Sequence, residues 1–124
     1  MGTSIYVHEK VAYDAIQINP TELQATAIKL YTSNDTQIDI YNIYNQPKCK
    51  YDLKKIKKLI KNNPKSTILL GDFNAHNPLW DFTSNKLNKP GKIIEKLIEE
   101  LDLCLVNDPE IDTYFPTHTT SIQP

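Results

Sequence analysis

Asp72, Asn74 and His76 fall close together in the stretch Gly71-Asp72-Phe73-Asn74-Ala75-His76-Asn77-Pro78-Leu79-Trp80. They offer a carboxylate, a carboxamide and an imidazole. A carboxylate accepts a proton or binds a hard cation, and a carboxamide donates hydrogen bonds to an anion without titrating. An imidazole can do acid–base work or ligate a metal. The same residue types are ordinary turn formers, so chemistry and simple chain reversal both stay open. Asp81 could join Asp72 and His76 around a metal, but that spacing matches no ligand signature strongly. Trp80 reads as a core anchor rather than a base-stacking platform. Tyr44 adds a phenol at the end of an alternating run; a tyrosine at a strand end otherwise serves as half-buried packing.

Such side chains need elements that deliver them to one edge. Residues 67–70 are wholly apolar and partly β-branched, which predicts a strand buried on both faces, broken by Gly71. Residues 23–31 and 37–44 alternate with period two around the turn cluster 32–35, which predicts a hairpin. Ala25, Ala27 and Lys29 would share one of its faces, Ile28 and Leu30 the other. Residues 3–8 and 15–18 are two more strand candidates. From Asp52 the period turns helical, with Leu53, Ile56, Leu59 and Ile60 in one stripe and Lys54, Lys55, Lys57, Lys58 and Lys61 facing away. Asp52 suits the N-cap, and Asn62-Asn63-Pro64 the stop. Strand, helix and strand then form a βαβ unit with parallel strands. Tyr44 and Asp72 are therefore expected on one rim of the sheet, where open α/β sheets meet their ligands. Pro90 marks a second helix, with Ile93, Ile94, Leu97, Ile98 and Leu101 inward. Residues 103–106 are expected to be a buried strand closed at the same rim by Asn107-Asp108-Pro109, and 113–115 a last short one.

The 124 residues, 40% hydrophobic and 23% charged, suit one globular domain with one core. A net charge of −1 excludes a polycation, and all 14 basic residues are lysine. The missing arginine removes the usual bidentate reader of phosphate and guanine. The lysine face of the first helix is either solvated surface or a contact for a phosphate backbone. Cys49 and Cys104 lack metal-type spacing, and Cys104 lies inside an apolar run, which predicts inert thiols in a reduced, intracellular protein. The first residues carry no basic-then-apolar signal pattern, and Tyr6 stands where myristoylation requires Ser or Thr. No apolar run reaches membrane-spanning length, so no membrane partner is expected.

Gly71-Asp72-Phe73-Asn74 after an apolar strand resembles the G-D-F-N signature of the endonuclease/exonuclease/phosphatase superfamily, which has the deoxyribonuclease-I-like fold. The extension through Trp80 looks most like the endonuclease domains of non-LTR retrotransposons of the jockey and R-element type. The resemblance implies an α/β fold, a partial four-layer α/β sandwich in which a mixed β-sheet carries covering helices. It further implies Mg²⁺-dependent phosphodiester hydrolysis with DNA as substrate, and a nuclear site of action for a functional mobile element. By the same resemblance, Asp72 would orient or deprotonate the attacking water, and Asn74 would hold the phosphate and the Asp72 side chain. Tyr44 would contact the scissile phosphate, as would Thr113 in Asp112-Thr113-Tyr114-Phe115. His76 would support the site without touching the reacting atoms. Asn45 and Gln46 stand before Pro47 where the family often has Pro-Asn directly after the tyrosine, so only Tyr44 carries over.

The resemblance covers residues 1–124 as the central portion of such a domain. The family's upstream Asn and Mg²⁺-binding Glu, and its downstream Ser-x-x-Asp and Ser-Asp-His motifs, have no matching segments here. Two expectations follow. One is a DNA-nicking endonuclease, or a relative acting on a phospholipid or inositol phosphate, inactive or very weak as this fragment. The other is a non-enzymatic truncated remnant with weak nucleic-acid contact through the lysine-rich helix. Nothing in the sequence requires an obligate oligomer.

Overall fold

The computed structural model describes residues 2–19, 24–46, 52–60, 66–82 and 86–113. They contain β1 (Tyr13–Ile16), β2 (Ala25–Tyr31), β3 (Gln37–Tyr44), α1 (Lys54–Ile60), β4 (Thr67–Asp72) and α2 (Lys89–Leu101). The strands form one four-stranded sheet in the order β1-β2-β3-β4. β1–β2 and β2–β3 are antiparallel, while β3–β4 is parallel. The described residues are thus α/β, with a mixed sheet and two helices, compatible with part of the endonuclease fold that the sequence resemblance implies.

The hairpin forms because 25–31 and 37–44 pair in full, from Ala25↔Ile43 to Tyr31↔Gln37. Register puts Ala27, Lys29, Asp39, Tyr41 and Ile43 on the face that the helices cover. Ile43, Leu53, Ile56 and Ile60 are its most deeply buried side chains, with Ala27, Tyr41 and Leu97 around them. α1 begins as the sequence suggests, since the Asp52 carboxylate accepts the Lys54 amide at 2.9 Å. Residues 61–65, including the expected helix stop, lie outside the described residues, as does Leu23. α2 ends on Asp102 in the left-handed region (φ 53°), with its amide and that of Leu103 returning to the last turn.

Several expectations are corrected. β4 is not buried on both faces: Ile68 is 47% and Leu70 43% exposed, because β4 is an edge strand and the helices cover one face only. Gly71 does not end it; the strand runs on through Asp72. β1 lies two residues before the expected 15–18, because its ladder is fixed by Tyr13↔Leu30 and Ile16↔Ala27 rather than by its apolar side chains. Residues 3–8 form no ladder. They are tied to the sheet by Thr26 Oγ1 donating to Thr3 O (2.8 Å) and Asn42 Nδ2 to Ser4 O (3.0 Å). Residues 103–106 are not a buried strand. They follow the helix cap without pairing, and Val106 is 89% exposed. A short apolar run does not by itself fix its own conformation. Cys104 is accordingly exposed rather than enclosed, and Cys49 lies outside the described residues. Among the described residues no helix is long and apolar enough to cross a membrane.

The lysine face of α1 is not all solvated surface, because Lys57 pairs with Glu100 of α2 and Lys96 stands 3.8 Å from the same carboxylate. The Glu100 carboxyl is held below its ordinary pKa, chiefly by the Lys57 hydrogen bond, against a burial effect and with help from the charges of Lys57, Lys96 and Lys54. A carboxyl depressed on folding contributes stability above its unfolded pKa and loses it as pH falls through the folded value. Acid titration is therefore expected to weaken this tie in the interval below the ordinary glutamate range, and Glu100→Gln to flatten that part of the stability–pH curve slightly. Superimposable wild-type and variant curves there would remove the pair from the stability of the fold.

Candidate functional site

The parallel pair sets the geometry of the rim. Tyr44 and Asp72 are register partners at the ends of β3 and β4, so their side chains leave the sheet on the same face, the one the helices do not cover. Asp72 is exposed and Tyr44 half-buried. Gly71 allows the approach: it takes φ +132°, and a Cβ there would overlap the Ile43 backbone. Only a residue without a side chain can sit there and bring the next residue, Asp72, against β3.

Asn74 follows in the left-handed region (φ 47°), a conformation that asparagine tolerates better than most residues. Its amide donates to Asp72 Oδ1 at 3.0 Å, closing an Asx turn that orients the carboxylate. The hold on Asp72 thus comes from the Asn74 main chain. The Asn74 carboxamide is directed elsewhere: Nδ2 donates to Asn45 O at 2.6 Å. Buried Asn45 completes this side, its amide donating to Asp72 O (2.8 Å) and its Nδ2 to Phe73 O (3.0 Å).

On the other side the loop meets the start of α2. Asn88, the N-cap, accepts the Gly91 amide at 2.8 Å and the His76 amide at 2.9 Å on one Oδ1, while its Nδ2 donates to Asn74 O at 3.0 Å. A Cβ at Gly91 would overlap the His76 carbonyl, so α2 lies directly on the loop. Asn77, 2% exposed, accepts the Leu79 amide and donates to Gly91 O and Glu95 Oε2. A buried carboxamide satisfied at both ends rigidifies the backbone it joins.

His76 is exposed and enters the site through its main chain. Trp80 is not part of the central core; it is half-buried, and its indole N–H donates to Ala75 O at 2.9 Å, so it braces the loop. Past the loop, Phe82 N donates to Pro109 O at 3.1 Å, but among the described residues no hydrogen bond joins 107–109 to Tyr44 or Asp72. Thr113 is exposed, and among the described residues no hydrogen bond joins it to Asp72, Asn74 or Tyr44; Tyr114 and Phe115 lie outside the described residues. Asn77 belongs to the polar cluster of the motif, whereas Asn45, Asn88 and Gly91 do not stand out in the sequence as site residues. Asn88-Lys89-Pro90 carried a usable signal, a capping residue ahead of a proline in the first turn. Asn45 carried none, since its partners are remote in sequence.

As a cation site the arrangement is open. Among the described residues no group of three or more His, Cys, Asp or Glu side chains comes together. Asp72 supplies one exposed rim carboxylate, whereas Mg²⁺ requires octahedral oxygen ligation completed by waters and substrate. Asp72 alone is no closed protein cage for Mg²⁺; an ion held there would take its remaining oxygen ligands from water and substrate.

Comparison with known proteins found no matching curated protein and no matching solved structure. Residues 38–123, which include Tyr44, Asp72, Asn74, His76, Asn88 and Thr113, match a family model described as endonuclease-reverse transcriptase.

Proposed function

The chain belongs to the endonuclease-reverse transcriptase family, and on that footing we propose that it derives from the DNA-nicking endonuclease of a non-LTR retrotransposon of the jockey or R-element type. Asp72 is the catalytic carboxylate. The observation that carries this reading is the Asx turn that fixes Asp72 Oδ1 on Asn74 N, at an exposed rim directly beside Tyr44. A carboxylate oriented from behind can take a proton from a water attacking a phosphodiester, and the Tyr44 phenol on the same face can donate to a phosphate oxygen. Asn74 acts through its main chain, and DNA reaches the rim from the face that the helices leave uncovered. Thr113 belongs to this reading only as a further phosphate contact.

The test is nicking of supercoiled DNA in Mg²⁺ by the chain and by Asp72→Ala. A general base contributes at least about 10²-fold to rate, so the variant is expected to lose essentially all nicking. Chelation of the metal should abolish nicking by either protein. Equal, metal-dependent nicking by both would show that Asp72 is not the base. No nicking by either would favour the second reading, a non-enzymatic remnant in which the motif survives as structure.

A further inference from the structure

We infer that Asn88 is a positioning residue for the Asp72 carboxylate, acting through Asn74 and separably from its role as helix cap. The inference deepens the reading of Asp72 as catalytic and rests on it for its kinetic consequence only. A helix cap needs one contact, from the cap side chain to an amide in the first turn, and Gly91 N to Asn88 Oδ1 at 2.8 Å supplies it. The Asn88 carbonyl also accepts the Lys92 amide at 3.1 Å as the first bond of the helix, and Asn88 makes three further contacts outside α2. Oδ1 also takes the His76 amide, the Asn88 amide donates to His76 O at 3.2 Å, and Nδ2 donates to Asn74 O at 3.0 Å. None of these three stabilises α2 as such; all three grip the loop.

The Nδ2 contact matters most for chemistry. Asn74 holds a left-handed backbone, which asparagine bears more readily than other non-glycine residues but which is still one of several conformations open to it unless its neighbours fix it. Asn45 fixes the Asn74 side chain and Asn88 fixes its carbonyl, leaving the Asn74 amide aimed at Asp72 Oδ1. The carboxylate is thus oriented by a chain of contacts that begins at the first turn of α2. Gly91 sets the distance, since any side chain there would push the helix off the His76 carbonyl.

Asn88→Asp separates the two roles. A carboxylate still accepts from Gly91 N and His76 N, and a negative charge suits a helix N-terminus. It cannot donate to Asn74 O, and it sets an anionic oxygen against that carbonyl. The order parameter of the Asn74 amide is expected to fall from a rigid value near 0.85 to below about 0.6, with amides inside α2 and the melting temperature nearly unchanged. If the chain nicks DNA, kcat should fall about tenfold or more with KM unchanged, because orientation and not binding is lost. An unchanged Asn74 order parameter would overturn the inference, as would equal loosening of Asn74 and α2, which would reduce Asn88 to a cap. Absence of nicking by the wild-type chain would count against the catalytic reading of Asp72 alone, and the Asn74 amide would still decide the positioning role.

Discussion

Gly71→Ala is expected to cost about 2–6 kcal/mol, enough to leave a small domain largely unfolded. Two costs add at this position. Backbone with φ +132° is open essentially to glycine alone, and the new Cβ would meet the Ile43 carbonyl and amide of the neighbouring strand. The obstacle is main chain and cannot swing aside as a side-chain tip would. Relief requires β3 and β4 to separate at the register step that brings Tyr44 to Asp72. Gly2→Ala is the matched control, since nothing lies within 4 Å of a Cβ there. Urea denaturation followed by circular dichroism should show a greatly lowered midpoint, or no transition, for the Gly71 variant and an unchanged midpoint for the Gly2 variant. Equal midpoints would mean that β4 can pair with β3 without a glycine at the crossing.

Ile43→Ala is expected to cost about 2–5 kcal/mol. Ile43 is fully buried in the central strand β3, within the cluster formed by Leu53, Ile56 and Ile60 of the α1 segment and by Leu97 of α2. Truncation there removes apolar contacts and leaves a void that a sheet pinned on both sides cannot close. Ile111→Ala, at a position 62% exposed, should change stability by less than about 0.5 kcal/mol. The Ile43 and Gly71 substitutions touch the same register pair, so the double variant should deviate from additivity. Similar losses for Ile43→Ala and Ile111→Ala would show that the cluster around β3 is not the core.

The elements that sequence disclosed best are those whose signal is local and periodic. β3 occupies the expected 37–44, α1 follows the Leu53, Ile56 and Ile60 spacing, and the parallel pair follows from strand, helix and strand in succession. Where burial depends on what lies across a face, the sequence misled. Ile68 and Leu70 have the composition of a doubly covered strand yet sit at an edge, and among the described residues the apolar run 103–106 joins no ladder. For the candidate site the sequence supplied the members of the rim but not what orders them. Asp72 and Asn74 stand out as chemistry, whereas Asn45 and Asn88 look like any turn asparagine until the fold brings one to each side of the loop.

The asparagine contacts around this loop bear on how far the motif could be transplanted. A graft of residues 67–80 onto another strand would carry the whole Gly71-to-Trp80 string, and with it the Asx turn and the indole brace, both of which close within that string. It would leave behind the acceptor on Asn45, the clasp from Asn88 and the bare Gly91 surface on which the loop rests. The portable unit is therefore larger than the motif: the end of β3, all of β4 with its loop, and the first turn of α2. An engineer moving this rim to a new scaffold would have to import those three pieces at their native spacing, or the transplanted carboxylate would arrive without its aim.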